Sequence, residues 1–470
     1  MMATAPASHA VPAAPAIAAL RERFGDALHT GAAIRAQHGA IEGMTGGGDP
    51  DAVLFAASTE DVAAAVAICA AYRLPVIAHG AGSSLEGQLA APHGGLSIDL
   101  SGMNRVLAVN AGDLDVRVEA GVTREALNAE LRTHGLFFPL DPGANATLGG
   151  MASTRASGTN AVRYGTMREV TLGLTVVTAT GEVIRTGTRA RKSAAGYDLT
   201  RLFVGSEGTL GIITELSLRV FGIPEQIASA VVQFDALEPA VEAVMLMMQM
   251  ALPLARIELL DAVQMGACIA YSQLDEFAAK PTLFMEFHGS PGAVAEQVET
   301  VRDLVADFGG GEMRFATLTE DRNRLWKARH NAWFAAKALR PGAEAFATDA
   351  CVPISRLAEA IAAAKAAAET AGLIAPLVGH VGDGNFHMLL LFDPASPAEL
   401  AQAHDLSDKI ARIAIGLGGT ATGEHGIGLH KLPTMADEHG EGALAVMAAV
   451  KQALDPLGIL NPGKTVPASG

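Results

Sequence analysis

Two short stretches carry residue types able to hold and use a metal ion. In the first, His380-Val-Gly-Asp383-Gly384-Asn-Phe-His387, apolar residues flank an Asp-Gly pair. Asp-Gly between apolar runs is a strong signal for a two-residue hairpin turn. With Asp383 and Gly384 as the loop, His380 faces His387 across the hairpin, with Cα atoms about 4.5–5.5 Å apart. Two imidazoles so placed could share one cation, and a one-residue slip would send them to opposite faces. The second stretch is Gly423-Glu424-His425-Gly426-Ile-Gly428, where glycines on both sides let backbone approach closely. Two histidines and one carboxylate suit a divalent transition metal with open positions, such as Zn, Mn or Fe. The alternative for any single histidine is ordinary polar pairing. His404, His430 and His439 lie in helical or polar contexts and are read as surface residues.

Glycine-rich stretches form a second group. Gly80-Ala81-Gly82-Ser83-Ser84-Leu-Glu-Gly87-Gln88 follows an apolar run that reads as a strand. Its third glycine is misplaced for a dinucleotide fingerprint, and the residues after it do not open a good helix. Its backbone N–H groups and serine hydroxyls can still form an anion nest. A run of small and hydroxyl residues follows, containing Pro142, Thr147, Gly149, Gly150, Ser153, Ser157 and Gly158. The third stretch holds Glu207, Gly208, Gly211 and Ile212. Together they point to a large, polar, phosphate-bearing ligand wrapped by backbone. Gly458-Ile-Leu-Asn-Pro-Gly463-Lys464-Thr465 matches a P-loop pattern, but only five residues follow Thr465. A P-loop must feed a helix, and Pro462 removes a donor inside the loop, so nucleotide hydrolysis is excluded.

These residues need a scaffold of ordinary kind. The chain has 470 residues, half of them hydrophobic and 18% charged, which indicates two cores rather than one. A formal charge of -16 disfavours nucleic acid as a partner. Cys69, Cys268 and Cys351 are scattered and odd in number, so no disulfide framework is expected and a reducing compartment fits. No apolar run has the length of a transmembrane segment. The Ala/Pro-rich start, Met1 to Ala19, has neither signal-peptide nor transit-peptide character and is read as a flexible arm. A cytoplasmic location is expected, with peripheral docking at the inner membrane as an option. Ser58-Thr-Glu-Asp61 predicts a capped helix ending near Tyr72, and Thr180-Gly181 predicts a hairpin. Long helices are expected at 238–251, 293–307 and 355–371. The expected division is an N-terminal arm and helix at 1–45, a binding domain at 46–223 and a second domain at 224–465.

The three glycine stretches, read with DPGANATLGGMASTRASG and GYDLTRLFVGSEGTLGIIT, resemble the FAD-binding domain of the vanillyl-alcohol-oxidase-type flavoproteins. With the histidine motifs added, residues from about 45 to 465 resemble the FAD-linked D-2-hydroxyacid dehydrogenases. The resemblance implies an α+β, two-domain FAD-binding fold of the vanillyl-alcohol-oxidase/PCMH type. An α+β cap carries the substrate, and the C-terminal tail returns to the flavin. It implies that the glycine stretches line FAD, with Asn461 near the isoalloxazine. Gly82-Ser83-Ser84 stands where covalent relatives often carry a histidine, so FAD is expected to be non-covalent. By the same analogy His380, His387 and Glu424 hold the metal and His425 is the base. A 2-hydroxy acid would then give hydride to flavin N5 and leave as the 2-oxo acid.

The segment Leu325 to Trp333, followed by Ala347-Thr-Asp-Ala-Cys-Val-Pro353, resembles the part of these enzymes that supplies a carboxylate-binding arginine, here Arg329. Relatives acting on a dicarboxylate carry a Lys near Ala347 and an Asn at the position of Leu389. Both departures favour a small D-2-hydroxy monocarboxylate, as in the mitochondrial-type D-lactate dehydrogenase branch. A quinone, cytochrome or electron-transfer flavoprotein is the expected acceptor. The alternatives are an oxygen-using oxidase and a flavin-bearing subunit of a glycolate-oxidase-like complex.

Overall fold

The computed structural model describes residues 13–40 and 47–467. The rest of the expected N-terminal arm lies outside them. Residues 13–19, expected to be flexible, instead open a helix, Ala13–Phe24, whose Ala16 and Leu20 are buried in the first core. Pro15 falls in the first turn, where its missing N–H has no helical partner to lose.

The first half combines two sheets around one core. Strands Ala52–Phe55, Leu96–Asp99 and Val76–His79 run parallel, and Leu28–His29 pairs antiparallel at the edge. The crossover between Ala52–Phe55 and Val76–His79 is the helix Thr59–Tyr72. Its start is set by Ser58, whose hydroxyl accepts from Asp61 N at 3.1 Å; the Asp61 carboxylate accepts from Ala57 N. The second sheet is five-stranded and antiparallel. Its members run Val106–Asn110, Asp115–Glu119, Ile212–Arg219, Thr171–Val177 and Val183–Gly187 across the sheet. Gly181, at positive φ, closes the hairpin between the last two.

The second half is built on a larger antiparallel sheet. It includes Gln226–Gln233, Thr282–Gly289, Leu254–Leu260, Leu377–His380 and Asn385–Phe392 as neighbours in that order. The helices Leu237–Gln249, Pro291–Asp307, Leu357–Ala371 and Pro397–Gly416 pack on one face. Strand alternation sorts the side chains. Leu283, Met285 and Phe287 enter that core, while Phe284 joins Trp326, Met265 and Val378 on the opposite face. Glu258, His380 and His387 belong to this opposite face, which looks toward the first half.

The chain end crosses back. After the helix Met435–Leu454, Val76 N donates to Ile459 O and Asn461 N to Val76 O, at 2.7 and 2.8 Å. Ile459 and Leu460 join the first core. This places Asn461 beside the strand that leads into the first glycine stretch.

Candidate active site

The histidine hairpin differs from its expected register. Residues Val381–Asp383 form a 3-10 turn and Gly384 follows at φ 77°, so the connection is four residues rather than two. His380 pairs with Asn385, and His387 pairs with Val378. The register is displaced by two residues, and an even displacement keeps side chains on the same face. The two rings therefore still meet, diagonally, with centroids 5.3 Å apart.

Each ring is oriented by its Nδ1. His387 Nδ1 lies 2.8 Å from Thr348 O, and His380 Nδ1 lies 2.6 Å from Glu258 Oε1. Both partners only accept, so in each neutral ring Nδ1 carries the hydrogen and Nε2 keeps a lone pair. Both Nε2 atoms lie 3.4 Å from Glu424 Oε1. A ligand atom from each of His380, His387 and Glu424 falls within 4.8 Å of the others. Glu424 Oε2 is buried without a hydrogen-bond partner. Lone pairs turned toward a carboxylate, with their outer nitrogens held by acceptors, are the pattern a bound cation satisfies. Burial opposes charge on His380, but the carboxylates of Glu258 and Glu424 outweigh it and raise its pKa well above the ordinary value. Burial would raise Glu424, and His380 and His387 overcome it, leaving its pKa well below the usual range.

Asp349 fixes the second motif. It is buried, and its Oδ2 accepts from Thr422 Oγ1 at 2.6 Å, Glu424 N at 2.8 Å and His425 N at 2.7 Å. Its Oδ1 accepts from Asn385 Nδ2, tying the loop to the hairpin. The His425 ring stacks on His387 with centroids 5.2 Å apart, and its Nδ1 faces Glu86 Oε1 at 3.3 Å. Burial lowers the His425 pKa, yet Asp349 and Glu86 prevail and it is raised. Lys431 forms an ion pair with Glu86 at 2.8 Å.

A cavity of about 790 Å³ between the two halves reaches from the glycine stretches to these histidines. Gly80 to Ser84, Gln88, Pro142, Thr147, Gly149, Gly150, Ser153, Ser157, Gly158, Glu207, Gly208, Gly211, Ile212 and Asn461 all line it. Gly87 does not: a Cβ there would meet His430 Nε2 at 3.2 Å, so its bareness makes room for that ring. A Cβ on Gly80 would collide with Thr147 Oγ1, so a side chain there would displace that hydroxyl. Ser84 Oγ is buried and unpartnered, as suits a lining that waits for a polar ligand. Glu207 has a second task, accepting from Ile427 N and Gly428 N at 2.7 and 2.8 Å. Asn461 Nδ2 donates to Glu207 O and Gln88 O, and Gln88 Nε2 donates to His425 O.

Arg329 also lines the cavity, with its Nε donating to Glu258 Oε2 at 2.7 Å. Glu258 thus joins Arg329 to His380. His404 and His430, read as surface residues, line the cavity instead, whereas His439 is exposed. His404 faces inward from the helix Pro397–Gly416 and stacks on Phe346. Glu86 and Asp349 lie inside the stretches read above but carry no role there, and Glu258 and Lys431 lie outside every motif, so sequence reasoning does not find these four. Glu258 did leave a trace, the one carboxylate in the mostly apolar strand Leu254–Leu260, which also carries Arg256.

Comparison with known proteins bears on this arrangement. Residues 50–187 match the FAD binding domain family, and residues 223–465 match the family described as FAD linked oxidases, C-terminal domain. A probable mitochondrial D-lactate dehydrogenase of Danio rerio is 48% identical, covering 96% of this chain and 91% of its own. A mitochondrial D-lactate dehydrogenase [cytochrome] of Arabidopsis thaliana is 43% identical over 89% of this chain and 74% of its own. A glycolate oxidase subunit of Bacillus subtilis is 32% identical over 88% of each. The solved 4-ethylphenol oxidase from Gulosibacter chungangensis superposes with a TM-score of 0.80 over 97% of each chain, at 22% identity. It shares the fold.

Proposed function

The chain belongs to the FAD-linked D-2-hydroxyacid dehydrogenases, and from that premise we propose that it oxidises D-lactate or a related D-2-hydroxy monocarboxylate to the 2-oxo acid. The observation that carries this reading is the convergence of His380 Nε2, His387 Nε2 and Glu424 beside His425, at one end of the cavity lined by the glycine stretches.

In this reading the glycine stretches hold FAD without a covalent bond, and His380, His387 and Glu424 hold one divalent metal. When bound, these groups supply two-electron acceptance and Lewis-acid polarisation of an alcohol. The protein's own residues do the rest. Arg329, steadied by Glu258, takes the substrate carboxylate through its guanidinium edge. His425 directs Nδ1 at Glu86, which leaves Nε2 to receive the hydroxyl proton. Asp349 keeps the His425 backbone in place, so the ring need not be ordered at the moment of reaction. Leu389 and Ala347, paired beside His387, line the cavity and offer no charge to a second carboxylate.

Electrons then pass to an acceptor other than oxygen, and the bracketed word in the Arabidopsis relative's name favours a cytochrome over a quinone or an electron-transfer flavoprotein. Among the described residues no helix is long and apolar enough to cross a membrane. The cytoplasmic expectation rests on composition, whereas two relatives are named mitochondrial.

The test is anaerobic reduction of the flavin by the isolated chain. D-lactate, D-2-hydroxybutyrate and longer D-monocarboxylates should bleach it, with L-lactate and D-2-hydroxyglutarate far slower. Bleaching by none of them would turn the assignment toward a subunit that needs partners.

A further inference from the structure

Three ligand-type side chains that the reaction does not use meet at the root of the first glycine stretch. His38 lies in the helix Ala32–Gly39, His79 ends its strand, and Asp99 ends the neighbouring parallel strand, opposite His79 in register. All three are buried, His79 being 9% exposed. His38 Nδ1 lies 2.9 Å from Ile34 O, which only accepts, so Nδ1 carries a hydrogen. The Nε2 of a neutral His38 then turns a lone pair on Asp99 Oδ2, 3.0 Å away. That contact is repulsive unless a proton or a cation stands between them. His79 adds a second nitrogen, for its Nδ1 lies 3.8 Å from the same Oδ2 and is buried with no hydrogen-bond partner. Asp99 Oδ1 is already committed to Ser101 N at 2.7 Å, which leaves Oδ2 for the rings.

A proton on His38 satisfies one of these contacts and leaves His79 Nδ1 unanswered. A cation satisfies both, and one ligand atom from each of the three residues lies within 4.8 Å of the others. We propose that His38, His79 and Asp99 form a second divalent-metal site, of a kind that takes two imidazoles and one carboxylate, as zinc does. The site shares no residue with the Glu424 cluster. Its position suggests what it does. Gly80 follows His79 directly, and a Cβ on Gly82 would meet His79 Nε2 at 3.4 Å. A cation here ties the helix Ala32–Gly39 to the base of the loop that cradles the cofactor.

The test uses the flavin-loaded full chain, stripped of metal by chelation and titrated with Co²⁺, with bound cobalt and its d–d spectrum as readouts. The intact chain should take two equivalents, His380→Ala/His387→Ala one, and His79→Asn one. Adding His79→Asn or His38→Asn to the double variant should abolish uptake. If the Glu424 site takes no metal, the intact chain would bind one equivalent that is sensitive to His79 and insensitive to His387, and the second site would still stand. Cobalt uptake equal to the intact chain's in both His38→Asn and His79→Asn would overturn the proposal. These single variants keep the test decisive should the double variant fail to fold.

Discussion

Glu258 receives the Nδ1 hydrogen of His380 at 2.6 Å, and this contact sets which nitrogen of His380 faces Glu424. The same carboxylate holds Arg329, so one buried acid serves two functional side chains. In Glu258→Gln the new NH₂ group must confront one of these two donors. Metal affinity is expected to fall about 10–100-fold, the range for lost outer partners of ligating histidines. Competition with a chelator measures it, and unchanged affinity would contradict the orienting role.

Arg329→Ala should raise KM for all 2-hydroxy acids by a similar factor, because the carboxylate is common to them. Arg329→Lys should not restore it, since an ammonium cannot replace a planar, two-pronged donor. Steady-state kinetics over three substrates decides this, and an unchanged KM would place carboxylate binding elsewhere.

His425→Ala should retain flavin and metal while slowing flavin reduction about 10²–10⁴-fold, the usual contribution of a positioned base. Stopped-flow reduction under anaerobic conditions gives the rate. A rate within a few-fold of the parent's would remove His425 from that role.

Much of this arrangement was legible in the sequence, and the part that was not has physical reasons. The helix after Ser58 and the hairpin at Gly181 are local events, decided by caps and turn residues within a few positions. The pairing of His380 with His387 was expected across a two-residue turn and occurs diagonally across a four-residue one. The shared face survived because strand alternation has period two. Glu86, Glu258 and Asp349 act through partners that are distant in sequence, so no spacing announces them. His404 reads as polar surface because helix periodicity does not say that the other half of the molecule lies opposite, and His430 does so because it sits in a turn with no periodicity to place it.

Lys464 gives a pH dependence. It is buried, its ammonium contacts Ala90 O and Asn461 Oδ1, and burial lowers its pKa to about 7 against weak help from Glu207. Above that value the unfolded chain binds more protons at this residue than the folded one, so stability should rise with pH. Thermal unfolding of the holoenzyme should show this rise between pH 7 and 9. The rise should flatten in Lys464→Met, and an identical slope in that variant would refute the assignment.

The most direct test of the central claim is flavin reduction by D-lactate before and after removal of the metal. The purified chain is treated with a strong chelator, its metal content is measured, and the visible flavin band is followed anaerobically. The account predicts that reduction is lost while FAD stays bound, and that Zn²⁺ or Mn²⁺ restores it. Undiminished reduction in protein shown to contain no metal would contradict the role given to His380, His387 and Glu424.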